Sequence, residues 1–153
     1  MAEKTSIGWT TLDVVQRRVE RIATSYNNEL RADDVTIIEE KTRDAYFGVL
    51  ARLASRGYTR AQADTWAQRE EFQVDVATYY SLVSFGYRRG DEEDWISDLR
   101  RLEELLEQDD DGTYVLAIID EEGNIIEPGT EPSGVFQVID LEEINEDLEV
   151  SLP

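Results

Sequence analysis

All three prolines of this chain, Pro128, Pro132 and Pro153, lie after residue 127. A proline inside a helix removes one backbone hydrogen bond and drives its ring into the preceding turn. The earlier part of the chain is therefore open to long uninterrupted helices, and its apolar residues recur at the steps of three and four that line one side of a helix.

In the first such stripe, Leu12, Val15, Val19, Ile22 and Tyr26 are aligned, with Thr10 or Thr11 as N-cap and Asn27-Asn28 as the stop. A second helix is predicted from Asp33 or Asp34, whose carboxylates suit the positive end of the helix dipole, to Arg56, with Gly57 as a left-handed cap. Its buried line is Val35, Ile38, Ala45, Val49 and Leu53, widened by Tyr46, Phe47 and Leu50. Thr59 caps a third helix, predicted to continue through Trp66 and Phe72 to about Phe85. Between Phe72 and Tyr87 its only charged residue is Asp75, so this helix is the centre of a bundle or lies in an oligomer interface. After Gly86 and Gly90, the acids Asp91, Glu92, Glu93 and Asp94 open a fourth helix with Trp95, Leu99, Leu102 and Leu106 on one stripe.

Beyond Asp109, Asp110, Asp111 and Gly112 the period changes. Residues 113–119 read as a strand, 120–124 as a hairpin loop, Ile125-Ile126 as the returning strand, and 134–139 as a further strand. Residues 141–153 read either as a short helix, aligning Leu141, Ile144 and Leu148, or as an extended tail. The expected fold is mainly α, a bundle of about four helices with a small C-terminal β-hairpin or extended segment. The expected division is a helical bundle domain at 1–108 and an acidic β-rich extension at 109–153.

Charge divides the chain at the same place. Residues 1–32 carry five basic and four acidic side chains, 33–108 carry ten and seventeen, and 109–153 carry none and fourteen. A net charge of −20, with only Lys4 and Lys41 as lysines, suggests a salt-saturated cytoplasm, where self-repulsion is screened within ~3 Å. The other reading is an ordinary acidic protein with an acidic tail. Either way, long-range attraction to nucleic acid or to an anionic membrane is disfavoured. With no apolar run of membrane-spanning length and no signal-like apolar core at the start, a soluble intracellular protein is expected.

The chain contains no His and no Cys, which removes the commonest general base, thiolate nucleophiles and zinc-thiolate sites. Neither a glycine-rich phosphate loop nor a nucleophile elbow is present. The Asp109–Gly112 cluster invites comparison with a calcium loop. If Gly112 took the glycine position of that loop, the bidentate glutamate would fall on Ile118, so the template fails. No enzyme activity, cofactor or metal is therefore expected. The residues singled out are Arg17, Arg18 and Arg21 on the first helix, and Tyr87, Arg88 and Arg89 at the end of the third. The first trio reads as a solvated face or a docking surface, and Arg88 and Arg89 as helix-terminal cations or partner contacts. Asp75 is the buried polar candidate, with Arg43 or Arg52 as its expected partner.

The order of elements resembles a known family. A leading helix, a long helix ending in Arg56-Gly57-Tyr58-Thr59, an aromatic-rich helix with Asp75-Val76-Ala77-Thr78-Tyr79-Tyr80, and an acidic start into Trp95-Ile96-Ser97-Asp98-Leu99 are similar to the head-to-tail connector proteins of long-tailed viruses, also called adaptor or head-completion proteins. The resemblance covers roughly residues 10–108 and is one of pattern, without a signature motif. It implies a virion structural protein made in the host cytoplasm and placed at the head–tail junction. There a roughly dodecameric homo-oligomeric ring would bind the portal and the tail or stopper proteins, and DNA would pass through without specific binding. It supplies no catalytic residues, and the acidic C-terminal third has no counterpart in it. A haloarchaeal tailed virus would account for the acidity. The competing reading is an acidic cytoplasmic binding module that mimics nucleic acid or blocks a basic partner protein.

Overall fold

The computed structural model describes residues 5–25, 27–86 and 101–129. Tyr87, Arg88, Arg89, the acids 91–94, Trp95, Leu99, the 134–139 strand and the 141–153 segment lie outside the described residues. The protein is mainly helical with a small two-stranded antiparallel sheet, as the periodicity implies.

The chain enters through a hairpin that the helical pattern did not signal. Strand β1 (Ser6–Ile7) pairs with β2 (Thr10–Thr11), Ile7 opposite Thr10, so the turn contains only Gly8 and Trp9. Gly8 has φ +66°, the left-handed first position that a Gly-initiated two-residue turn requires. A Cβ there would stand 2.3 Å from the Tyr46 ring, so this glycine also permits the hairpin to close on the second helix.

Helix α1 (Leu12–Ser25) follows directly. Val15, Val19 and Ala23 are buried on the predicted stripe, and Leu12 and Ile22 flank the core. At its end Asn28 donates to Ala23 O and Asn27, at φ +61°, donates to Thr24 O. These are the two bonds of a Schellman closure. Helix α2 (Ala32–Ser55) has 24 residues, about 36 Å of rise. Its start is held by Asp34, whose carboxylate accepts from the Arg31 N–H at 2.8 Å. Its end repeats the Schellman pattern, Tyr58 donating to Leu53 O and Gly57, at φ +91°, to Ala54 O.

The single third helix expected from Thr59 to Phe85 is two helices. Helix α3 (Arg60–Ala63) is capped by Thr59 and Gln62 as read from the sequence, and α4 (Arg69–Ser84) begins after a break. The cause is tertiary. Trp66 forms a β-bridge with Asp120, and the Ala67 N–H donates to Ile119 O, so the backbone there serves the C-terminal segment in place of a helical ladder. Trp66 is fully buried against Phe72, with ring centroids 4.6 Å apart.

Helix α4 is buried almost all round, as its composition suggested. Phe72, Val74, Val76, Ala77 and Leu82 enter the core, and Gln73, Asp75, Thr78 and Ser81 are buried with them. The last described helical stretch, 101–104, ends in a turn that places Leu105 in the core and leaves Leu106 exposed. The predicted stripe, which aligned Leu106 with Leu102, assumed one more helical turn.

Residues 107–126 form two hairpin-like turns of one design. In 107–115, Asp109 N donates to Thr113 O, Val115 N to Glu107 O, and Gly112 N to Asp109 O. Eleven residues on, Asp120 N donates to Asn124 O, Ile126 N to Ile118 O, and Gly123 N to Asp120 O. In both, the aspartate Oδ1 accepts two further backbone N–H groups, from Asp111 and Thr113 or from Glu122 and Asn124. The glycines close the turns at φ +80° and +85°. Only isolated bridges form, so the expected 113–119 strand is short pairing around two Asp-x-x-Gly turns. Ile118 is buried in the same core as Trp66 and Leu105, so residues beyond 109 contribute to the interior of the helical part.

Candidate functional site

The arginine trio of α1 divides by role. Arg17 is exposed and pairs with Asp13 one turn back at 3.0 Å, and Arg21 is exposed. Arg18 turns inward and binds Asp75. Arg101 completes the cluster, its Nε 3.1 Å from Asp75 Oδ2, its Nη2 2.9 Å from Glu71 and its guanidinium 4.4 Å over the Phe72 ring. Asp75 is thus a buried, ion-paired carboxylate as expected, but not with the expected arginines. Arg43 pairs with Glu39 on its own helix, and Arg52 lies near Tyr80. Because α1 and the 101–104 stretch both flank α4, they deliver Arg18 and Arg101 to one side of it. With both oxygens engaged, this carboxylate joins three elements and is not poised as a base.

A different surface collects the side chains that proteins use as binding hot spots. Gln73, fully buried on α4, accepts from the Trp9 N–H at 2.8 Å and donates to Ile7 O at 2.8 Å and Thr42 O at 3.0 Å. This one amide fastens the β1–β2 turn to α2 and α4. It fixes Trp9, whose indole N–H donates to Asp64 at 2.8 Å and whose ring meets Tyr46 edge-on at 4.9 Å. The Tyr46 ring in turn touches Phe47 at 5.3 Å and carries Arg60 at 5.7 Å, with Arg60 Nη2 donating to the Tyr46 hydroxyl at 3.1 Å. Phe47 is 54% exposed. Around buried Tyr46 the surface thus shows half-buried Trp9, exposed Phe47 and exposed Arg60, a combination of aromatic and arginine side chains enriched at interface anchors.

The hairpin turns carry further exposed apolar side chains. Val115 on the first turn is 60% exposed and Ile125 on the second 66%, and Leu106, just ahead of the turns, is exposed as well. Beneath the turns lies Arg56, at the end of α2. It is buried, donates to Leu105 O at 3.2 Å and Leu116 O at 2.8 Å, and sits 4.2 Å over the Tyr114 ring. Burial lowers its pKa, while the neighbouring Tyr58 and Tyr114 oppose that shift. Burial likewise raises the Tyr58 and Tyr80 phenols above their ordinary value, against the pull of Arg56 and Arg52 respectively.

The acidic turns do not gather ligands. Among the described residues no group of three or more acidic side chains converges on a point where a metal ion could be held, and the Asp109 and Asp120 side chains bond backbone N–H groups of their own turns. No described helix is long and apolar enough to cross a membrane.

Sequence reasoning missed the aromatic surface because it assembles from the first hairpin, α2 and α3. One signal was present: Gly8-Trp9 between Ile7 and Thr10 fits a two-residue hairpin turn. The repeat of Asp-x-x-Gly at an interval of eleven residues was a second. No family model matches the chain, and neither a curated protein nor a solved structure matches it.

Proposed function

We propose that this protein is a structural adaptor of the head-to-tail connector type, assembling into a ring that joins a capsid portal to a tail and lets DNA pass. The observation that carries the reading is that large exposed apolar side chains occur in two unlike places, Phe47 beside half-buried Trp9 and Arg60, and Val115 and Ile125 on the paired turns. Large exposed apolar side chains mark contact sites on water-soluble chains. Two unlike patches on one molecule suit heterologous, head-to-tail contact, the kind that closes into rings. A ring of chains at −20 each is strongly anionic and repels passing DNA, consistent with a conduit. The same acidity fits a salt-rich host, in which assembly is strongest at molar KCl.

The test is sedimentation and electron microscopy of the full chain at molar KCl. A closed ring is expected. Phe47→Asp and Val115→Asp should each prevent closure, and an equimolar mixture of the two should stop at dimers, since such a pair retains one intact contact. A chain that stays monomeric at every concentration and salt overturns the reading. The acidic-mimic alternative draws on the two matched turns, which present Asp110, Asp111, Glu121 and Glu122 at the surface. Tight 1:1 binding to a basic DNA-binding protein, abolished by neutralising both turns, would put it first.

A further inference from the structure

We infer that the aromatic–arginine surface is covered, in the free chain, by the protein's own C-terminal segment, with residues 135–139 as the occupant. The inference rests on reading that surface as a docking site. Its first support is where the described chain leaves off. Gln62 Nε2 donates to Glu127 O at 2.6 Å, and Gly129 N donates to Gln62 Oε1 at 2.8 Å. These bonds tie the start of the C-terminal segment to α3, at a residue two positions from Arg60. A Cβ on Gly129 would lie 3.2 Å from Thr59 Cγ2, so the backbone runs close against the α3 cap. Val135 is six residues further, a reach of up to about 20 Å.

The second support is complementarity. Residues 130–153 carry seven acidic side chains and no basic one, and their apolar residues Val135, Phe136, Val138 and Ile139 come just before Asp140, Glu142 and Glu143. The surface offers apolar ground in exposed Phe47 and half-buried Trp9, with one cation, Arg60, beside them and one carboxylate, Asp64, bonded by the Trp9 indole. A segment tethered this close meets the surface at millimolar effective concentration, so modest contact suffices to keep it covered. A neighbouring copy would then compete with the tether for the same anchor, which sets the concentration at which assembly begins.

The test places photoreactive p-benzoylphenylalanine at position 47 of the full chain, diluted until sedimentation shows it monomeric, followed by cross-linking and peptide mass analysis. The expected product joins position 47 to a peptide from 130–153 within one molecule, as shown by the absence of mixed products when labelled and unlabelled chains are combined. Phe136→Asp should lower its yield about tenfold, the equivalent of losing one buried aromatic contact. The same change should lower the protein concentration at which rings appear. Mixed-isotope products would assign the segment to a neighbouring copy, and no product from 130–153 would leave the surface bare. Either result overturns the inference. Rings that form normally on a bare surface would sink it while leaving the adaptor reading intact.

Discussion

In the helical region, burial follows chain geometry: Val15, Val19 and Ala23, or Ile38, Ala45, Val49 and Leu53, face inward because helical turns place them there. The paired turns at 107–126 have no such regularity. They are held by a few tertiary contacts, chiefly Ile118 in the core, the Arg56 guanidinium on two carbonyls, and the Ala67–Ile119 backbone bond. A small number of anchors therefore carries a large part of the second region, whereas the first spreads its stability over many side chains. The paired turns also break a helix in the first region, so the two regions constrain each other.

Ile118→Ala is the largest test of that difference. The side chain is 1% exposed, so truncation removes its transfer free energy and leaves a cavity, costing about 3–4 kcal/mol. Chemical denaturation followed by helical circular dichroism should show one cooperative transition at lower denaturant. A helical transition unmoved by the change would mean that the turns are appended to a self-sufficient bundle. Asp75→Ala comes next, at about 2 kcal/mol, because it removes the carboxylate that Arg18 and Arg101 share, with Arg101 keeping Glu71 and both arginines a quarter exposed. The loss should persist in molar KCl, where exposed pairs such as Arg17–Asp13 contribute almost nothing.

A smaller effect comes from the phenols. Burial raises the folded-state pKa of Tyr58 and Tyr80, so their neutral forms favour the folded protein. That contribution is complete below pH 10, the ordinary tyrosine value, and is lost as pH rises from there through the folded-state pKa. Denaturant titrations at increasing pH should show stability falling above about pH 10, and less steeply in Tyr58→Phe, which removes one of these two raised phenols. An equal fall in both proteins would show that Tyr58 does not contribute.

What could be read from the sequence follows the same division. The ends of α1 and α2 were legible because Asn27 and Gly57 adopt left-handed conformations that local chemistry favours. The break between α3 and α4 was not, since no Gly or Pro separates Thr59 from Phe85 and the cause is pairing with Ile119 and Asp120. For Asp75 the need for a cationic partner was legible and the partner was not. Distance along the chain does not select the partner: Arg52 is nearer to Asp75 than Arg101 or Arg18, but Arg18 and Arg101 are the ones brought to that side of α4. The aromatic surface depends on Gln73 fastening Trp9 to α2, a long-range choice that no local pattern records.

Gly48 gives the smallest effect and the sharpest view of the helical region. It lies in the interior of α2, where glycine costs about 1 kcal/mol relative to alanine through backbone entropy. A Cβ at this position would meet only the Tyr80 hydroxyl, at 3.7 Å, an ordinary van der Waals contact. Gly48→Ala should therefore stabilise the protein by about 0.5–1 kcal/mol, read as a higher denaturation midpoint at unchanged slope. Gly8→Ala, where the added carbon meets the Tyr46 ring and φ is positive, should move the midpoint the other way. If Gly48→Ala were destabilising, the α2–α4 packing around Tyr80 would have to be too tight to admit one methyl group, and stability in the helical region would depend on single close contacts as it does in the paired turns.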